Sequence, residues 1–268
     1  EEFVEEKTSP GGPSGAEQVL WQKARSQAQD PDAWDSLAAH LQNSEGAEAA
    51  FNALEEGVAG MEDATKQSKL FRRMSLLSQS PILRARLSKL LESKGHLDEA
   101  ESSYRAVLRS EPGHEDALDG LLRIYEQRGA VDRYDAILTR ALGGVSEASA
   151  RRILLLRRAR LRFERLDRPA EALEDLDQLL LSEDSDLDAL VLQESILEKT
   201  ERYDDLVKAY RAHLPYCFTA EERVDLLVAI GTLYENQLDN PQQAISHYRK
   251  ALKEAPERLS TLEALVNL

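Results

Sequence analysis

Lys94-Gly95-His96-Leu97-Asp98-Glu99-Ala100 is the stretch whose reading decides the fold. Gly95 stands between two runs of apolar residues, each at helical spacing. Leu83, Leu87, Leu90 and Leu91 precede it; Ala100, Tyr104, Val107 and Leu108 follow, and Pro112 stops the second run. Apolar residues three and four apart form one face of a helix, and a glycine between two such runs marks a tight turn. Residues 81–114 therefore read as a helix hairpin of 34 residues.

The same text recurs along the chain. It returns at 115–148 with Leu118, Leu121, Tyr125, Gly129, Leu138, Ala141 and Leu142. It returns near 153–186 with Leu156, Ala159, Phe163, Ala172, Leu176 and Leu179. A copy at 187–220 carries Leu190, Leu197, Leu206 and Tyr210, and one at 224–258 carries Leu227, Ile230, Gly231, Tyr234, Ala244 and Tyr248. An earlier copy spans 31–64 with Trp34, Leu37, Ala38, Leu41, Ala50, Leu54 and Gly57. Residues 16–29 read as a leading helix. Residues 65–80 add a half-repeat, and Ser80-Pro81 either starts a new helix or kinks one long helix through residues 65–94. Residues 259–268 read as the start of a further copy, with Leu262 and Leu265 on its apolar stripe.

Composition agrees. The 268 residues include 43 Leu and 33 Ala but only 25 Val, Ile and Thr together, too few β-branched residues for a sheet protein. Fixed-period recurrence is the mark of a solenoid, in which no single hairpin can bury its own apolar stripe. The fold class is all-α.

The pattern resembles the tetratricopeptide repeat family. That family favours a large apolar residue at position 4, Leu at 7, a small residue at 8, Tyr at 11, Gly at 15, Ala at 20, an aromatic at 24, Ala at 27 and Pro at 32. Trp34, Leu37, Ala38 and Leu41 match the first helix of one copy; Gly95, Ala100, Tyr104 and Pro112 match the turn and second helix of another. The resemblance covers about 200 residues and implies a right-handed superhelical α-solenoid of about six hairpins over residues 16–268. Some copies depart from it. Arg160 stands where the 153–186 copy wants a small residue. Leu122 and Tyr134 fill both small positions of the 115–148 copy, which predicts a wider hairpin. Gln193 and Glu194 occupy positions 7 and 8 of the 187–220 copy, and the last copy has a longer turn at Leu238-Asp239-Asn240-Pro241.

Residues 1–15 read differently. Glu1-Glu2-Phe3-Val4-Glu5-Glu6 is followed by Pro10-Gly11-Gly12-Pro13-Ser14-Gly15, an acidic tail on a flexible linker. The chain opens without an initiator methionine and closes on an apolar-striped run, so it is expected to be a segment of a longer repeat protein.

Charge and composition exclude several functions. The net charge of −15 argues against nucleic acid as a partner. No apolar run approaches the length of a membrane span. One cysteine, Cys217, excludes an intrachain disulfide framework and is compatible with the cytoplasm, the compartment expected. Arginine outnumbers lysine 24 to 10, as in a GC-rich bacterial genome. The five histidines fall at unrelated repeat positions with no metal-ligand spacing. His213 and Cys217 would share a helix face only if the helix ran through Pro215, so they are read as unconnected. No catalytic residue, cofactor site or metal site is expected, and the chain reads as non-enzymatic.

Within this acidic chain one segment is basic. Arg151, Arg152, Arg157, Arg158, Arg160, Arg162, Arg165 and Arg168 fall within 18 residues. In the family resembled, first-helix positions near 2, 5, 6, 9, 12 and 13 line the inner groove. Arg157, Arg158 and Arg165 fall at 5, 6 and 13, and Arg162 at 10, beside that set. Arg86, Lys89 and Arg123 fall at 6, 9 and 9 of earlier copies. Guanidinium groups hold carboxylates in a bidentate fork. These seven residues are the expected partner contacts, and the expected ligand is an acidic peptide in the concave groove. The competing reading pairs the arginines with the acidic run that follows: Glu171, Glu174, Asp175, Asp177, Glu183 and Asp184. The Lys and Asn clamp by which chaperone-binding members of that family hold a terminal carboxylate is absent here. The tail Glu1–Glu6 is a second acidic candidate for the groove, competing at high effective concentration.

The function expected is therefore a protein–protein interaction scaffold. Two other readings stand beside it: a regulatory module that binds a signalling protein through its convex face or edges, and the repeat portion of a larger enzyme whose catalytic domain lies elsewhere.

Overall fold

The structure, a computed structural model, describes residues 15–268. The tail and linker expected at the amino terminus, with the tail's proposed competition for the groove, lie outside the described residues apart from Gly15. Among the described residues there are α-helices and one short 3-10 turn, and no strand. The helices are α1 Gly15–Ser26, α2 Pro31–Ser44, α3 Ala47–Gly60, α4 Ala64–Leu77, α5 Pro81–Ser93, α6 Leu97–Ser110, α7 Glu115–Gln127 and α8 Val131–Gly144. They continue as α9 Ala148–Glu164, α10 Pro169–Ser182, α11 Leu187–Lys199, α12 Tyr203–His213, α13 Ala220–Asn236, α14 Pro241–Glu254 and α15 Leu259–Asn267.

Local chemistry sets the breaks. Proline opens α2, α5, α10 and α14, at the one helical position where its missing N–H costs nothing. The Asp30, Ser80 and Asn240 side chains cap three of these starts. Ser80 and Pro81 therefore begin a new helix: α4 ends at Leu77, and residues 65–94 form two helices. Gly95 adopts a φ of +80°, a left-handed conformation that a side chain disfavours, and the His96 N–H returns to the Leu91 carbonyl at 2.9 Å. The turns after α9, α11 and α13 use the same conformation at Asp167, Glu201 and Asp239.

The chain divides after Arg128 into two compact units, at the turn between α7 and α8 and so inside the copy expected at 115–148. In the first, α2 and α3 form a hairpin, as do α5 and α6, while α4 packs on α2 and α3. Trp34, Leu37, Leu41, Phe51, Leu54, Leu70 and Met74 are buried together there. Trp34 fits only because Gly57 faces it; a Cβ on residue 57 would stand 2.8 Å from the indole. Each such side chain contributes about 1.5–3 kcal/mol when fully buried.

In the second unit α9 pairs with α10, α11 with α12, and α13 with α14. Leu154, Leu155, Ala159, Leu176 and Leu179 fill one layer; Ile230, Tyr248 and Ala251 fill another. Ala159 is fully buried and Arg160 is exposed, so the small residue at the α9/α10 crossing is Ala159. The helix register thus lies one residue earlier than the expected start at 153. On α15, Leu262 and Val266 are exposed. No helix of the described residues is long and apolar enough to cross a membrane.

Candidate partner-binding site

The one-residue shift changes what the α9 arginines are. Counted from Ala159 as position 8, Arg158 and Arg162 fall at 7 and 11. Leu37 and Leu41, Leu87 and Leu91, and Leu121 and Tyr125 hold those positions in other copies, and all are buried. Asp175 falls at position 24, where the α5/α6 copy has Tyr104. In α9/α10 an ionic layer thus replaces an apolar one.

Its geometry is close. Arg158 donates to both oxygens of Asp175, at 2.5 and 3.0 Å, and to the Thr139 hydroxyl. Arg162 reaches Asp135 at 3.0 Å and Asp175 at 3.2 Å. The Asp175 side chain is only 3% exposed, and those of Arg158 and Arg162 are 12% and 11% exposed. Burial pushes the Asp175 carboxyl above the usual carboxylate range even though Arg158 and Arg162 pull it down. These two arginines are committed to α8 and α10. Arg157, half-buried, and Arg165, exposed at the end of α9, are also engaged by neighbouring groups.

In the first unit the expected basic residues are more open. Arg123 grips Glu92 through two hydrogen bonds of 2.7 and 3.0 Å, with the arginine side chain 54% exposed. Burial raises the Glu92 carboxyl, but Arg123 and the Tyr104 hydroxyl outweigh it and hold Glu92 below its ordinary range. Lys89 meets Asp116 at 2.8 Å on the surface. Arg86 pairs with Glu55, donates to Asn52 at 2.9 Å and lies over the Phe51 ring.

The next copy has polar residues at the same inner positions. Glu194 Oε1 and His213 Nδ1 lie 2.8 Å apart, with side chains 12% and 15% exposed, and Gln193 donates to Asp177. Cys217 lies against the His213 carbonyl at 4.0 Å, while the imidazole nitrogen is turned to Glu194. Burial pushes the Cys217 thiol up, the wrong direction for a nucleophile. No group of His, Cys, Asp and Glu among the described residues could hold a metal ion.

A surface that sequence reasoning missed lies in the first unit. A cleft of about 530 Å³ opens where α4, α5 and α6 meet, with Phe71, Leu87 and Leu91 beneath it. Arg72 and Arg109 line it and make no ion pair among the described residues. The signal available was a small polar face on each wall: Ser68 and Ser75 on α4, and Ser102 and Ser103 on α6.

A sequence profile described as the tetratricopeptide repeat matches residues 83–114 and 224–258. No curated protein matches by sequence. Among solved structures, the C-terminal part of a tetratricopeptide repeat-containing protein from Cytophaga hutchinsonii superposes with a TM-score of 0.51 at 11% identity, covering 93% of each chain. A complex of Naa15 and Naa10 bound to HypK-THB gives 0.51 at 18% identity, covering 95% of this chain and 42% of that one. YrrB, described as a tetratricopeptide repeat protein with an unusual peptide-binding site, gives 0.43 at 18% identity, covering 72% and 96%. At these identities the likeness to the first two is one of fold. Residues 83–114 and 224–258 match the tetratricopeptide repeat, and the all-α fold around them is similar to that of a tetratricopeptide repeat-containing protein.

Proposed function

We propose that the chain is a non-enzymatic protein-interaction scaffold that holds an acidic segment of a partner against the basic residues of its first helices. The residues assigned to contact are Arg86, Lys89 and Arg123 in the first unit and, as a separate set, Arg157 and Arg165 in the second, where Arg158 and Arg162 set the position of α9.

The observation that carries the reading is the contrast in exposure among these ion pairs. Lys89–Asp116 is a surface pair, which holds together by about 0–1 kcal/mol, and Arg123 is 54% exposed although its partner Glu92 is largely buried. An incoming carboxylate can take the place of Asp116 at little cost, and can reach Arg123 from its solvent side. Arg158 and Arg162 are buried with their partners, where separation is expensive. Exchangeable pairs suit a surface that trades internal partners for an external one. A preformed base also spares the scaffold the cost of ordering itself on binding.

The test is affinity capture from the host extract with the full chain, beside an Arg157→Glu/Arg165→Glu chain and an Arg123→Glu chain. Partners captured by the native chain should be lost from both variants and should elute with rising salt. Capture unchanged by either variant overturns the reading.

A further inference from the structure

The cleft of the first unit has the build of a receiving groove. Its floor is apolar, from Phe71, Leu87 and Leu91, all buried. Its walls are low: Ser68 and Ser75 recur along α4, and Ser102 and Ala106 along α6, so another backbone can come close. α4 and α6 both pack on α5 or its turn, with the groove running between them. Leu76 stands at the mouth, 63% exposed.

The charge on the lining is the reverse of the chain's. Arg72, Arg84 and Arg109 face Glu99 alone among carboxylates, in a protein of net charge −15. Arg84 is tied to the Ser78 carbonyl at 2.9 Å, but Arg72 and Arg109 are exposed and unpaired among the described residues. Two cations without an ion pair among the described residues sit on opposite sides of one apolar floor.

We propose that this groove docks one acidic amphipathic helix of a partner protein. The walls are helices whose backbone groups are already bonded, so they offer no strand edge to an extended peptide. A helix satisfies its own backbone and asks only for an apolar stripe to be covered. Anchors at i, i+3, i+4 and i+7 of the incoming helix reach Phe71, Leu87, Leu91 and Leu76, and carboxylates flanking that stripe meet Arg72 and Arg109. Neither Arg123 nor Arg157 lines the groove, and the inference does not rest on the function proposed above.

The probe is a labelled 15-residue synthetic helix with leucines at i, i+3, i+4 and i+7 and glutamates on both flanks, titrated into the full chain and followed by fluorescence anisotropy. Controls are a scrambled peptide of the same composition and one with lysine in place of glutamate. Saturable binding is expected, at least about tenfold weaker for either control. Arg72→Glu/Arg109→Glu and Ser102→Trp should each abolish it, while Arg249→Glu, at an exposed position of α14, leaves it unchanged and circular dichroism shows all variants folded. Absence of saturable binding, equal binding of the scrambled helix, or binding that survives Arg72→Glu/Arg109→Glu overturns the proposal. Tighter binding in a full chain carrying Phe3→Ser also overturns it, since the amino-terminal segment would then be the occupant.

Discussion

Tyr104 of α6 lies so close to Gly120 of α7 that a Cβ on residue 120 would meet the ring at 2.2 Å. The Tyr104 hydroxyl donates to Glu92 at 2.6 Å, and the ring is fully buried, so it cannot swing aside. Gly231 receives Tyr248 in the same way, at 2.5 Å. Alanine usually stabilises a helix over glycine, by up to about 1 kcal/mol. At residue 120 the sign should reverse, because overpacking costs about 1–3 kcal/mol. Urea unfolding of Gly120→Ala should show a loss, and Gly143→Ala, where a Cβ meets nothing within 4 Å, should show none. Equal behaviour of the two would mean that α6 and α7 adjust freely.

The ionic layer of α9 and α10 gives a second expectation. Removing one member of a buried pair strands the other, at a cost of about 3–5 kcal/mol, whereas apolar replacement of both members is often neutral. Asp175→Ala should therefore destabilise strongly. Arg158→Leu with Asp175→Leu should recover most of that loss, since Arg162 keeps Asp135. Lys89→Ala, at an exposed pair, should cost no more than about 1 kcal/mol. Thermal unfolding of the three chains decides, and a double variant worse than Asp175→Ala would sink the argument.

These positions also show how far the residues alone reach. The hairpin that turns at Gly95 and the one that turns before Pro241 were legible because glycine, proline and helical spacing speak locally. The turns at Asp167 and Glu201 were not, because no glycine marks their left-handed residues. The competing reading, in which the α9 arginines pair with the acidic run of α10, anticipated Glu171 and Asp175 but not Asp135, which arrives from α8 in the preceding copy. Arg158 was assigned to a groove because Arg160 was counted as the small position; the burial of Ala159 moves the count by one and turns a surface position into a core one. Gly120 carried no turn signal, and its role depends on a tyrosine sixteen residues earlier. The cleft of α4 and α6 needed three helices in place before its two unpaired arginines could be seen together.

Glu194 and His213 supply a third test. They occupy positions 8 and 27 of their copy, where the repeat pattern prefers two small residues, and they meet at 2.8 Å. Burial pushes the Glu194 carboxyl up, and His213 draws it part of the way back. His213→Ala leaves that carboxyl buried without its partner and should cost about 1–3 kcal/mol. Glu194→Ala/His213→Ala restores small residues at both places and should cost less than the sum of the single changes. A double-mutant cycle by urea unfolding reads the coupling directly. Strict additivity would show that the pair does not act as one.

His247 makes stability depend on pH. Burial first, then the charges of Lys250 and Arg211, lower its pKa from 6.5 to about 4. Its side chain lies beside the Tyr234 ring at 5.8 Å, with Arg211 Nη2 3.5 Å from Nε2 and Nδ1 buried without a hydrogen bond among the described residues. Above pH 6.5 the imidazole is neutral in both the folded and unfolded chain, and nothing changes with pH. Between 6.5 and about 4 the unfolded chain binds a proton that the folded chain refuses, so stability is lost as pH falls, by at most about 1.4 kcal/mol per unit. His247→Leu removes that proton while roughly keeping the volume. Carboxylates titrate alike in both chains, so the difference between them isolates His247. Measured by urea unfolding from pH 7.5 to 4.5, the difference should stay flat down to about pH 6.5 and then move in favour of His247→Leu by about 1–3 kcal/mol. A difference constant over the whole range would mean that the protonated imidazole is accommodated between α12, α13 and α14, and that its burial carries no electrostatic penalty.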